Sequence, residues 1–141
     1  MMDQRVSLIT LGVGDLATSA AFYEALGWKR AETEDTGIVV FELLGQVLGL
    51  YPAEALSKDL GVEVTPGFSG ITLGYNVRKK AEVAEICARV EPAGGRVLKD
   101  PHDMFWGGHS AFMSDPDGYV WELSHNPFSP PAEDGSFTWG G

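Results

Sequence analysis

Apolar and polar positions follow the same order twice along this chain. The motif Ile-Thr-Leu-Gly occurs at residues 9–12 and again at residues 71–74. After the first copy, apolar residues at helical spacing behind a capping Asp15 predict a helix over 16–26. After the second copy, the same spacing predicts a helix over 79–90. The repeated succession indicates internal duplication of one structural unit.

Strand-like segments follow each predicted helix. They fall at residues 29–34, 38–43 and 47–51 in the first half, and at 96–99, 109–114 and 119–124 in the second. The predicted fold class is therefore α+β, built from two tandem βαβββ modules. The modules span about residues 5–52 and 69–126, a connector spans about 53–68, and residues 127–141 are predicted to form a Pro- and Gly-rich C-terminal arm.

The clearest local signal is the hairpin in "SAFMSDPDGYVWELSHNP". Residues 115–118, Asp-Pro-Asp-Gly, predict a turn between two apolar strands. We pair Ser114 with Tyr119 across this turn. Because side chains alternate along a strand, this register puts His109 and Glu122 on one face of the sheet.

The net charge of −10 narrows the range of partners. A strongly acidic chain without a basic stripe is not expected to bind nucleic acid, whereas a cationic small molecule is favoured. Alternatively, the negative charge only keeps the protein soluble and indicates no particular ligand. The single cysteine, Cys87, excludes an intrachain disulfide, and no apolar run is long enough to span a membrane. We expect a cytoplasmic location.

The order of elements, the opening "ITLGVGDLATSAAFYEALGW" and the closing "DPDGYVWEL" resemble one known family. They are similar to the vicinal oxygen chelate superfamily, which includes glyoxalase I, bleomycin and fosfomycin resistance proteins and extradiol dioxygenases. The resemblance covers about residues 6–126. It implies a curved mixed sheet, a half-open barrel, around a cavity, and assembly as a homodimer.

Metal-using members of that superfamily take their ligands from four places. Carried over onto this sequence, these places fall on Leu8, Gly49, Gly70 and Glu122. Only Glu122 can bind a metal, and one carboxylate does not hold a divalent ion. We therefore predict no metal site and no cofactor.

Glu122 and His109 are the candidate chemical groups. Glu122 either binds a polar or cationic group or acts as a base, or else it is a carboxylate held by His109 or by a backbone amide. His109 is either a general base or a structural partner of that glutamate. His102 falls in a loop, beside two aspartates.

Four aromatic residues are candidate ligand contacts. Phe105 and Trp106 precede a flexible Gly107-Gly108 pair, which suits an aromatic loop at a pocket mouth; alternatively, Trp106 closes the end of the barrel. Tyr51 and Tyr75 either line the cavity or belong to the core.

These observations predict a metal-independent protein that binds a small cationic or aromatic molecule, in the manner of drug-sequestering resistance proteins. The alternative is a lyase, isomerase or dioxygenase-type enzyme of the same superfamily, with an unusual metal site or with acid-base chemistry by His109 and Glu122.

Overall fold

A computed structural model describes residues 1–140 of the chain. The chain divides into two compact units, one covering Met1–Pro66 and the other starting at Gly67. Within residues 1–140 there are seven strands in two mixed sheets and three helices, and neither sheet closes into a barrel. The predicted α+β class is confirmed. None of the helices in these residues is long and apolar enough to cross a membrane.

The first unit contains a three-stranded sheet in the order β1-β3-β2. β1 runs parallel to β3, and β2 runs antiparallel to it. Asp15 caps the first helix, because its Oδ1 accepts the Thr18 N–H at 2.9 Å. In chain order the elements are β1 (Leu8–Val13), α1 (Leu16–Ala25), β2 (Val39–Leu43), β3 (Gln46–Pro52) and α2 (Ala53–Leu60).

An aromatic cluster lies at the centre of the first core. Tyr23 of α1 stacks on Trp28 with ring centroids 5.3 Å apart and contacts Phe41 of β2 at 5.9 Å. Leu48 and Leu50 of β3 are fully buried in the same unit. These apolar contacts hold α1 against the sheet.

The strand predicted at residues 29–34 is wrong, because this segment forms no strand. A backbone hydrogen bond connects it to β2, from the Ala31 N–H to the Val40 carbonyl at 2.7 Å. Arg30 instead forms an ion pair with Glu24 of α1 at 2.6 Å. The segment is polar and offers no alternating apolar positions for a sheet to bury.

The second unit contains a four-stranded sheet in the order β4-β7-β6-β5. β4 runs parallel to β7, and the other neighbours are antiparallel. Its elements are β4 (Thr72–Asn76), α3 (Lys80–Val90), β5 (Arg96–Asp103), β6 (His109–Ser114) and β7 (Val120–His125). This order is the predicted β-α-β-β-β succession.

One face of the second sheet packs against α3, and we call it the helix face. Val83, Cys87 and Val90 are the buried residues of α3. The buried apolar side chains of the helix face are Ala111, Met113, Trp121 and Leu123. Burial, together with the charges of Asp100 and Glu91, raises the pKa of the Cys87 thiol.

The β6–β7 hairpin has a register one residue away from the predicted one. Asp115 and Tyr119 form the closing pair, because the Asp115 N–H donates to the Tyr119 carbonyl at 2.9 Å. The loop therefore has three residues, 116–118, rather than four, and it ends at Gly118, whose φ of 91° only glycine adopts easily. Ser114 therefore lies opposite Val120, not opposite Tyr119.

Candidate functional site

The observed register places His109 and Glu122 on opposite faces of the sheet, although they were predicted to share one face. His109 lies opposite His125, and Glu122 lies opposite Phe112. Directly opposite residues share a face, and a shift of one residue exchanges the faces of a whole strand. His109 therefore belongs to the helix face and Glu122 to the other face, so the predicted shared face is wrong.

We call this second surface the Glu122 face. A hydrogen bond of 2.9 Å between Ser110 Oγ and Ser124 Oγ, directly opposite each other, lies on it. From β4 to β5, one row of opposite residues is Gly74, Glu122, Phe112 and Lys99, and the next is Asn76, Ser124, Ser110 and His102. Polar and small side chains dominate both rows, in contrast to the helix face.

Glu122 has no partner for its carboxylate among the residues that the structure describes. Its side chain is half-buried, and within residues 1–140 its carboxylate forms neither a hydrogen bond nor an ion pair. The two internal partners considered from the sequence, His109 and a backbone amide, do not bind it. Toward β4, a Cβ added at Gly74 would meet nothing within 4 Å. Toward β6, its neighbour is the half-buried Phe112.

His102 lies on the Glu122 face, a position that sequence reasoning did not assign. β5 continues past the predicted end at Lys99 and through Pro101. This proline is tolerated because β5 is an edge strand. His102 Nδ1 lies 2.9 Å from the Asp100 carbonyl oxygen, which can only accept, so Nδ1 carries the proton. Nε2 is left for another contact.

His109 is held in a small charged cluster at the edge of the helix face. Its Nδ1 lies 2.9 Å from Asp103 Oδ1, and the same oxygen lies 3.1 Å from Lys80 Nζ. The hydrogen bond from His109 and the contact with Lys80 hold the pKa of Asp103 below its ordinary value. His109 is only 16% exposed, so this cluster fixes its ring.

The aromatic loop between β5 and β6 is closed by two backbone bonds. The Met104 N–H donates to the Gly108 carbonyl at 2.8 Å, and the Gly107 N–H donates to the Met104 carbonyl at 3.0 Å. Trp106 folds onto Gly108 so closely that any side chain there would overlap the indole. Phe105 is fully exposed. Trp106 therefore packs on its own loop.

The two predicted tyrosines belong to different units. Tyr75 lies opposite Leu123, on the helix face, and is 45% exposed. Tyr51 belongs to the first unit. The charge of Asp59, which also accepts a hydrogen bond from the phenol, raises the pKa of Tyr51. Of the three predicted site residues in strands of the second sheet, Glu122 lies on one face and His109 and Tyr75 lie on the other.

The first unit has a cleft of about 480 Å³ of its own. It lies between the start of α1, the segment that follows the helix, and the start of β2. Its lining includes Arg30, which Glu24 already neutralises. None of the predicted site residues borders this cleft.

The family is decided by a match that covers most of the chain. Residues 5–123 match the sequence model of the Glyoxalase/Bleomycin resistance protein/Dioxygenase superfamily. The chain belongs to this superfamily. Superfamily members bind small molecules, and the predicted resemblance is confirmed.

Similar proteins include curated enzymes and a solved structure. The chain is 34% identical to a lactoylglutathione lyase of Salmonella typhimurium over 118 residues, covering 80% of this chain and 86% of that one. It is 30% identical to a probable lactoylglutathione lyase of Vibrio parahaemolyticus, covering 89% and 94%. A glyoxalase-related enzyme from Fulvimarina pelagi, 39% identical, superposes with a TM-score of 0.89 over 96% of this chain and 97% of the other.

The residues at the four superfamily ligand positions do not fit a metal. Leu8 is apolar and 50% exposed. A Cβ at Gly49 would meet Ile38 and Leu8 at 3.5 Å, so its surroundings are hydrocarbon. Gly70 has no side chain, which leaves Glu122. Among residues 1–140 no group of three His, Cys, Asp or Glu side chains is arranged to hold an ion.

Proposed function

We propose that this chain binds a small organic molecule through Glu122, without a resident metal, in the manner of the drug-sequestering members of its superfamily. The observation that carries this proposal is the Glu122 carboxylate, which has no partner among residues 1–140. It lies between open space at Gly74 on one side and the aromatic ring of Phe112 on the other. A half-buried carboxylate accepts hydrogen bonds from an ammonium or amide group, and an apolar neighbour strengthens that interaction by excluding water. The ligand class is a cationic or strongly hydrogen-bond-donating molecule with an apolar part.

Titration calorimetry with an aromatic amine tests this function. We expect phenethylamine to bind and its neutral counterpart, phenylethanol, to bind at least about tenfold more weakly, because the ion pair contributes more than 1 kcal/mol. Glu122→Gln should abolish the preference for the amine. Glu85→Gln, which removes an exposed carboxylate of α3, is the matched control. Equal binding of phenethylamine by wild type and Glu122→Gln would contradict the proposal.

A second candidate function is lyase activity, favoured by the 30–34% identity to proteins named lactoylglutathione lyase and probable lactoylglutathione lyase. In this chain Glu122 would be the base that accepts a proton from the substrate. His109 is not its acid-base partner, because it lies on the other face of the sheet.

Two measurements separate the candidates. Metal content by mass spectrometry, before and after incubation with Zn²⁺, Ni²⁺, Mn²⁺ and Fe²⁺, should give well under one equivalent per chain. Lactoylglutathione should not be turned over by any of these samples. Stoichiometric metal together with turnover that Glu122→Gln removes would establish the lyase and overturn the metal-independent function.

We also propose that the protein is a homodimer in the cytoplasm. Support for the dimer comes from the resemblance to the superfamily and from exposed aromatic side chains of the C-terminal arm, among them Trp139 at 86% exposure. Light scattering at several concentrations tests the dimer. A mass of one chain, 15.2 kDa, at all concentrations would contradict it.

A further inference from the structure

We infer that the ligand of the Glu122 face is zwitterionic, with a cationic group at Glu122 and an anionic group at the β5 edge of the same sheet. This inference rests on the proposed function and adds a second recognition point to it. The anionic group would bind to Arg96 and Lys99, which together with the neighbouring His102 we call the basic edge.

The basic edge stands out against the charge of the protein. The chain has 20 acids and only 10 lysines and arginines, yet three basic side chains follow one another on one face of β5. Opposite residues on β6 place all three on the Glu122 face. Within residues 1–140 neither Arg96 nor Lys99 forms an ion pair. Asp100 follows Lys99 in sequence, but among residues 1–140 its carboxylate forms an ion pair with neither Arg96 nor Lys99.

Two bulges produce this arrangement. Simple alternation along β5 would put Arg96 and Lys99 on opposite faces, because three positions separate them. The register shifts between Val97 and Lys99 and again between Lys99 and His102. Each bulge adds one residue, so all three basic residues return to one face. The bulged strand thereby presents two cations, Arg96 and Lys99, on the same face as His102.

The separation of the two charges sets the length of the ligand. Glu122 and Lys99 occupy the same row, with Phe112 between them. Neighbouring strands are 4.7–4.9 Å apart, so the two charged positions are about 10 Å apart at the backbone. The middle of the ligand would lie over the Phe112 ring. A molecule with an amine and a carboxylate or phosphate at that distance, joined by an apolar chain, matches all three positions.

The test uses three eight-carbon probes on the full chain. They are ω-aminooctanoic acid, whose charges are about 10 Å apart like the two backbone positions, n-octylamine and octanoate. We expect the amino acid to bind roughly tenfold more tightly than octylamine, because it adds a charge-assisted hydrogen bond. β-Alanine, which is too short to reach both groups, should bind more weakly than octylamine.

The decisive variant is Arg96→Met/Lys99→Met, which removes two cations from the basic edge. It should abolish the preference for ω-aminooctanoic acid over octylamine. The matched control is Lys79→Met/Arg89→Met, which removes the same charges from exposed positions around α3. The control should retain the preference for the amino acid.

The failure of this inference differs from the failure of the proposed function. If octylamine binding depends on Glu122, but the carboxylate adds no affinity or the basic-edge variant keeps the preference, only the zwitterionic inference is overturned. If Glu122→Gln changes the binding of neither phenethylamine nor octylamine, the proposed function is overturned as well.

Discussion

The two Ile-Thr-Leu-Gly motifs end in glycines with opposite surroundings. Gly12 is buried, and a Cβ there would meet Val64 Cγ1 at 2.9 Å and Leu56 Cδ2 at 3.1 Å. Gly74 is exposed, and a Cβ there would meet nothing within 4 Å. Both glycines lie in an edge strand that runs parallel to the last strand of its own sheet. The difference comes from α2 and the residues after it, which cover Gly12.

The residues opposite these glycines differ in the same way. Gly12 lies opposite Tyr51, whose phenol is bound by Asp59 of α2. Gly74 lies opposite Glu122, whose carboxylate has no partner among residues 1–140. The first unit uses this position for packing, whereas the second leaves it open.

The largest expected effect is a difference in stability between two identical substitutions. Gly12→Val should lower the free energy of unfolding by about 2–3 kcal/mol, because the new methyl groups overlap Val64 and Leu56. Gly74→Val should change it by less than about 1 kcal/mol, since the site is open and valine suits a strand. Urea unfolding followed by circular dichroism measures both. Equal destabilisation would remove the contrast between the units.

Gly108, which Trp106 covers in the second unit, should give a smaller loss of stability when it is substituted. Gly108→Ala should lower the free energy of unfolding by about 1–2 kcal/mol, because the indole of Trp106 must leave the position that it occupies. In a Trp106→Ala background the same glycine substitution should be nearly neutral. A full loss in both backgrounds would mean that the strain comes from the backbone and not from the indole.

A covered thiol should react slowly. Cys87 is 7% exposed, and burial raises the pKa of its thiol, so little reactive thiolate is present at pH 8. We expect labelling by a disulfide reagent to be slow in the native protein and immediate in urea. Fast native labelling, at the rate seen in urea, would show that α3 does not stay packed on the helix face.

The smallest expected effect concerns the uncovered Asp103. Contacts with His109 and Lys80 lower the pKa of Asp103, so its charged form stabilises the folded protein above the ordinary value of 3.8 and this contribution is lost as the pH falls below it. Asp103→Asn should lower the Tm slightly at pH 7, and the difference from wild type should shrink below pH 3.8. Asp100→Asn is the control. A difference that persists in acid would point to packing rather than charge.

Much of the fold follows from the sequence, because apolar periodicity and strong turn signals act locally. The α+β class and the order of elements in the second unit were predicted from such signals, and the superfamily from the resemblance of its motifs. The wrong strand at residues 29–34 has a physical cause. Whether residues 29–34 join a sheet depends on partners elsewhere in the unit, and a polar segment gives no sign of them.

The candidate site was harder to predict, because it depends on counting residues around turns and bulges. A loop of three rather than four residues moved Glu122 to the opposite face from His109. Two bulges in β5, and a proline that argues against a strand, hid the position of His102. The residue types were readable, but the faces they occupy were not.

The loop of residues 116–118 also constrains how this protein can evolve. Loss or gain of a single codon there would exchange the two faces of β7 and turn Trp121 and Leu123 away from α3 while burying Glu122 beneath it. Such a change would remove the core and the candidate site together. New ligand preferences in this lineage should therefore arise by point substitution on the Glu122 face, and changes of loop length should be found elsewhere in the gene.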